Sequence, residues 1–286
     1  MKIIRYFFQF IIIIFLFLIL KTLGYKLASN LGCFIGSQLG PFFRSKRLIQ
    51  KNIKNSLTKI NDNELKKIIK GMWENYGKIL TDYMYMKKFR YSKLQDHIEI
   101  EGKEIFEEIK KNNKPVIFVS GHFSNFELMA MEIEKSGVNV AALYRPLNNI
   151  FLNKIMEFIR KKYICKNQIK KGFSGLREMV SFFKKNVSIA LMIDQRVSEG
   201  IQSNFFKRPA LTTTIPAQFV KKFNCDIVPI YIKRIGKFNY KMTINKPIGF
   251  SQNQTIEDIT EYLNRWLEKM IKTNPSQWIW SHNRWK

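Results

Sequence analysis

The sequence predicts an α/β fold: a mixed, partly parallel sheet with helices on both faces, preceded by an N-terminal transmembrane helix. Two observations carry the α/β part. Short apolar runs of strand length, "KPVIFVS", "NVAALY", "VSIALMI" and "DIVPIYI", are spaced between residues 114 and 232. Between them the apolar residues recur at three- and four-residue steps, as on one face of a helix. Strands that alternate with helices build a sheet whose parallel neighbours are joined by helical crossovers. The third observation is the nearly unbroken hydrocarbon of "YFFQFIIIIFLFLIL", residues 6–20.

That first segment is flanked by Lys2 and Arg5 before it and by Lys21 and Lys26 after it. A spanning helix needs roughly 20 apolar residues and at least about 17, and the count from Ile3 just reaches the lower limit because Arg5 can extend to the head groups. Positive charge directly after the run, without a small-residue cleavage site, argues for a retained anchor over a cleaved signal peptide. The basic stretch "FFRSKRLIQKNIKN" that follows places the remainder on the cytoplasmic side of the membrane. Residues 1–24 therefore read as a single-pass anchor and residues 25–286 as one domain, with no linker or repeat inside it.

After the anchor, Gly24, Ala28, Gly32, Gly36 and Gly40 recur every fourth residue, which on a helix makes one ridge of small side chains. The ridge suits close packing on the chain's own domain better than dimerisation. Pro41 ends that helix. Residues 60–89 continue as helix. The four apolar runs then read as buried strands, separated by helices whose stripes are Leu152, Ile155, Met156 and Ile159, and Leu176, Met179, Val180 and Phe183. "NYKMTINKP" reads as a late strand. Residues 255–275 close the chain as a helix with Thr255 at its N-cap and Pro275 beyond its end.

Charge narrows the partners. Against 22 acidic residues stand 49 Lys and Arg, a net charge of +27. Such a chain is drawn to anionic lipid, nucleic acid or an acidic protein. The basic residues are spread along the chain and form no recognised nucleic-acid motif, so no nucleic acid is expected as partner. Three cysteines at wide spacings fit neither a disulfide framework nor a zinc site. With only His97, His122 and His282, and no Cys-x-x-Cys or His-Glu-x-x-His, no metal and no cofactor is expected.

The stretch "SGHFSNFELMAM" places His122 just beyond the end of a strand and Glu127 five residues later. In open α/β sheets ligands bind outside the carboxyl ends of the strands, where a histidine is positioned for proton transfer and a carboxylate can hold its ring. A second reading makes Glu127 the far half of a capping box begun by Ser124. Asp194 and Gln195 follow the strand "VSIALMI", and "YRPLNN" leads into a helix that reaches Arg160; singly, Asp194 also reads as a turn residue and Arg160 as part of a solvated run. Arg145, Asn125 and Gln195 are candidates for contacting substrate.

Five ordered blocks carry a resemblance. "GHFSNFE" resembles the H-x4-[D/E] block of glycerolipid-type acyltransferases, and "YRPLNN", "MIDQ", "FFKRPALTTT" and "NPSQWIWSHNRWK" together resemble the lipid A late acyltransferases, from about residue 20 to the end. The resemblance implies an enzyme of the bacterial inner membrane, its residues 25–286 the catalytic domain, that moves a fatty acyl chain from acyl carrier protein, or coenzyme A, to a hydroxyl of a glycolipid, a lipid A precursor. It also implies that His122 is the general base with Glu127 as its partner, and that Arg160 and Asp194 are further essential residues. Phe126 stands where the family often has tryptophan, and Ser276 and Asn283 where glutamate and arginine are common; these departures bear on the acceptor more than on the chemistry. A lysophospholipid or another glycolipid is the alternative acceptor, and a membrane-tethered nucleic-acid-binding protein the distant alternative. Backbone N–H groups near Ser124 are candidate oxyanion donors. Phe205 and Phe206 read first as core and second as an acyl-chain groove.

Overall fold

The apolar runs become strands and the stretches between them helices, in a computed structural model that describes residues 2–286. An all-helical N-terminal part comprises α1 (Lys2–Thr22), α2 (Tyr25–Leu39), α3 (Lys46–Ser56), α4 (Asp62–Met84) and α5 (Met86–Tyr91). The α/β part begins β1 (Ile98–Glu101), α6 (Glu104–Asn112), β2 (Ile117–Ser120), α7 (Glu127–Lys135), β3 (Val140–Tyr144), α8 (Ile150–Ile159), β4 (Asn167–Lys170), α9 (Phe173–Lys184) and β5 (Ser188–Met192). It continues with the hairpin β6 (Ile201–Phe205) and β7 (Arg208–Thr212), then α10 (Ile215–Phe223), β8 (Ile227–Ile235), β9 (Asn239–Ile244) and α11 (Ile256–Thr273).

Seven strands form one sheet in the order β1-β9-β8-β2-β5-β3-β4, and β6 and β7 pair separately. Every pairing in the large sheet is parallel except β8 with β9, which a tight turn at Gly236 connects directly. The fully apolar runs fill the centre: all of β2 and four of the five residues of β5 are buried. Phe118, Ala190, Ala142 and Gln168 are registered partners across four strands and so share one face, where Phe106 of α6 meets Phe118 at 6.2 Å. Leu143 and Ile169 are partners on the other face, where α9 approaches Ile169 at Gly175. Helices on both faces are what a mostly parallel sheet requires. The strands of the large sheet that the sequence did not mark, β1 ("IEIE") and β4 ("NQIK"), lie at its two edges, where half-polar strands are tolerated; the hairpin β6–β7 also went unmarked.

Helix α1 is long and apolar enough to cross a membrane. The small-residue ridge packs on the chain's own domain, as expected: Gly32 and Gly36 of α2 face Gly77 of α4, and Gly40 faces the Trp73 ring. A Cβ at Gly77 would strike the Gly32 carbonyl, a backbone atom that cannot turn aside. Gly77→Val is therefore expected to lower stability by at least about 1–3 kcal/mol, the usual cost of overpacking, read as a lowered midpoint of denaturation. Helix α4 starts at Asn61 with a capping box to Glu64, and α11 at Thr255 with one to Asp258.

Candidate active site

Strands β2 and β5 are neighbours with Ser120 opposite Met192, and the Ile193 N–H donates to Ser120 O at 2.9 Å. His122 and Asp194, each two residues beyond a registered partner, are thereby brought together at the carboxyl edge of the sheet. The Asp194 carboxylate takes both ends of the histidine: Nδ1 lies 2.7 Å from Oδ1, and the His122 backbone N–H donates to Oδ2 at 2.8 Å. The Trp278 indole donates to the same Oδ2 at 2.7 Å. Burial by itself would raise the Asp194 carboxyl, but the adjoining imidazole and these donors outweigh it and bring the group down to about 2. An ionised carboxylate accepts only. The ring proton therefore sits on Nδ1, Nε2 is left as the acceptor, and His122 lines the adjoining cavity.

Glu127 is placed differently from the expectation. Among the described residues no hydrogen bond joins it to His122; its Oε1 accepts from Arg160 Nε at 3.0 Å, from Arg160 Nη2 at 2.5 Å and from the Tyr83 hydroxyl. The expected pairing of His122 with Glu127 is thus replaced by His122 with Asp194, because strand register, not sequence spacing, decides which carboxylate meets the ring. Burial pushes the Tyr83 phenol well above its ordinary value, so it remains a donor. Arg160 ends α8, lies over the Tyr144 ring at 5.2 Å and keeps its buried Nη1 without a protein partner on the cavity wall.

The capping box expected from Ser124 to Glu127 does not form. Ser124 is in the left-handed region (φ 44°), and its N–H donates to Gln277 O at 2.9 Å, which removes it as an oxyanion donor. Helix α7 begins at Glu127 without a side-chain cap. Strained residues cluster at functional turns; this one, two positions after His122, lets the chain double back so that Phe126 packs edge-on to the His122 ring at 4.6 Å.

A cavity of about 560 Å³ opens beside His122, with Glu127, Arg160, Arg145 and Gln195 in its wall. Its inner surface is apolar, formed by Met129 and Ala130 of α7, Ala142 and Ala190 of the sheet, and Leu176 and Met179 of α9. Asn125 is absent from that wall. It is fully buried and donates to Asp82 at 3.2 Å, away from the cavity, so it positions the turn rather than meeting substrate. Phe205 and Phe206 are buried against Trp278, Trp280 and Trp285, which leaves only the core reading for them. Three residues went unmarked in the sequence: Tyr83, Trp278 and Asp82. Only Trp278, inside the C-terminal block, carried any signal.

The family model described as "Bacterial lipid A biosynthesis acyltransferase" matches residues 1–286. The chain is similar to the lipid A biosynthesis palmitoleoyltransferase of Escherichia coli (strain K12), 23% identical over 265 residues, 89% of this chain and 84% of the relative. It is also similar to the lipid A biosynthesis lauroyltransferase of the same organism, 22% identical over 274 residues and covering 92% and 87% of the two chains. A lipid A biosynthesis acyltransferase of Haemophilus influenzae is 21% identical over 250 residues, 85% and 78% of the two. The chain that carries this His122–Asp194 pair beside an apolar cavity therefore belongs to the bacterial lipid A biosynthesis acyltransferase family.

Proposed function

We propose that the protein transfers a fatty acyl chain from a thioester of acyl carrier protein, or of coenzyme A, to a hydroxyl of a lipid A precursor. The transfer takes place at the cytoplasmic face of the bacterial inner membrane, with α1 as anchor. The observation that carries the reading is the imidazole whose Nδ1 is committed to Asp194 and whose Nε2 is the acceptor, set in the wall of a cavity with an apolar interior. His122 removes the proton from the acceptor hydroxyl. The oxygen attacks the thioester carbonyl, the carbon–sulfur bond breaks, and the departing sulfur takes the same proton back from His122. No acyl-enzyme is needed. Charge that develops on the carbonyl oxygen meets the unpartnered Nη1 of Arg160.

Glu127 and Tyr83 act through Arg160, holding its guanidinium in place. The apolar interior takes the acyl chain, while Arg145 and Lys171 at the wall suit the phosphates of donor or acceptor. A net charge of +27 favours partners that are all anionic: acyl carrier protein, the inner leaflet and a phosphorylated glycolipid.

The test is to incubate the purified full-length protein with an acyl carrier protein thioester and a Kdo-bearing lipid A precursor and to weigh the product. A mass gain of one acyl chain is expected, and His122→Ala should reduce its rate by about 100- to 10,000-fold. Acylation of a lysophospholipid and not of the lipid A precursor would move the chain to the alternative acceptor, and full activity in folded His122→Ala would end the general-base assignment.

A further inference from the structure

Helix α8 is apolar at seven of its ten residues, yet none of them is buried. It leaves the core at Arg160 and runs outward, and its stripe of Leu152, Ile155, Met156 and Ile159 is only half-buried. Ile150 and Phe158 are more than half exposed. In water such a helix would gain little from forming. Its neighbour is α1: Phe151 packs against Phe7 and Phe10 with ring centres 5.6 and 5.8 Å apart. Helix α1 in turn presents Tyr6, Phe10, Ile13, Phe17 and Leu20, one helical stripe, to the protein, and leaves the rest of its apolar surface outside.

We propose that α8 is a second membrane-seated element, standing beside α1 in one leaflet of an anionic bilayer, so that the cavity opens at the level of the lipid head groups. The inference rests on the reading of the chain as a membrane acyltransferase and names the surface that meets the lipid.

Three observations identify lipid, and not another protein, as the occupant. The foot of α8 carries an aromatic and basic belt: Phe158 meets Tyr163 at 6.3 Å and Tyr163 meets the exposed Tyr91 at 6.5 Å, with Lys162 over Phe158 and Arg90 over Tyr91. Amphipathic rings and basic side chains together mark membrane–water interfaces and attract anionic head groups. Two of the asparagines at the outer end of α8, Asn149 and Asn153, are bonded within the protein, as hydrocarbon demands. Asn149 Oδ1 accepts from the N–H groups of Phe151 and Leu152 at 3.1 and 3.2 Å, its Nδ2 donates to Tyr6 O at 2.8 Å, and Asn153 Oδ1 accepts from the Leu147 N–H at 2.8 Å. Length also fits. Ten residues rise about 15 Å, half of a hydrocarbon core about 30 Å thick, and Lys154, exposed between Ile150 and Phe158, can extend back to the head groups.

The arrangement bears on the reaction. Arg160, at the foot of α8, bonds Glu127, and the exposed Phe173 and Arg145 line the cavity wall, so a lipid acceptor reaches His122 from the plane of the membrane.

The experiment uses the full chain reconstituted in vesicles of phosphatidylethanolamine and phosphatidylglycerol. A fluorophore is placed at Phe158→Cys, or at Ile150→Cys where the first fails to fold, with Cys33→Ser and Cys225→Ser to direct the label. Lys111→Cys, on the exposed end of α6 where the chain enters the central strand β2, is the reference. Nitroxides on the lipid acyl chains are expected to quench residue 158 or 150 several-fold more than residue 111, and aqueous iodide the reverse. Equal quenching by iodide at both positions, in protein that still transfers acyl groups, would overturn the proposal and leave the enzymatic reading intact. Lipid quenching without transfer to any acceptor would do the opposite.

Discussion

Asp194→Asn is expected to lower kcat by about 10,000-fold, the loss that follows when a catalytic histidine is held in the wrong tautomer, without changing the product. The reason lies in the bonds already made. Asp194 Oδ2 receives two N–H donors, from the His122 backbone and the Trp278 indole, and neither donor can be reversed. An asparagine must therefore place its oxygen there and its NH₂ against Nδ1. Faced with a donor, Nδ1 gives up its proton and Nε2 carries it, so the ring can no longer accept one from the hydroxyl. Nitrogen NMR of a histidine-labelled protein reads this directly: Asp194→Asn moves the proton from Nδ1 to Nε2, whereas Glu127→Gln, which bonds Arg160 and Tyr83, leaves it where it was. Unchanged kcat and an unchanged tautomer in folded Asp194→Asn would return the partner role to another group.

The contrast between these two carboxylates shows what the sequence could and could not convey. Apolar runs between helical stripes predicted β2, β3, β5 and β8, because burial on both faces leaves a mark at each position, and β9 was legible from its alternation of inward and outward residues. His122 and Asp194 were both legible as residues at strand ends. That they meet each other was not, since the order β2-β5-β3 sets neighbours by crossover and no local spacing encodes it. Glu127 looked like the partner only because it is near in sequence; the turn at Ser124 carries it to Arg160 instead. Trp278 reaches Asp194 from 84 residues away in sequence, and Tyr83 reaches Glu127 from 44. Arg145 and Gln195 were read as substrate contacts and do line the cavity, whereas Asn125 turns inward.

What Asn125 turns toward carries the largest stability effect in the molecule. Asp82 is fully buried and is the acceptor for four donors: Arg234 Nη2 at 2.7 Å, Asn125 Nδ2 at 3.2 Å, the Tyr25 hydroxyl at 3.2 Å and the Tyr240 hydroxyl. A carboxylate offers about four acceptor positions, so one side chain serves them all. Burial, foremost, lifts both phenols above their ordinary range, and both remain donors that need an acceptor. Asp82→Ala removes it and leaves the Arg234 guanidinium charged and buried beside the Tyr240 ring. Breaking a buried pair from one side costs about 3–5 kcal/mol, and a clear fall in the denaturation midpoint of the detergent-solubilised protein is expected. Because the cost comes from the stranded charge, adding Arg234→Met to Asp82→Ala should restore part of the loss. If the double variant is less stable than Asp82→Ala by the full cost of a second independent lesion, the stranded charge is not the cause.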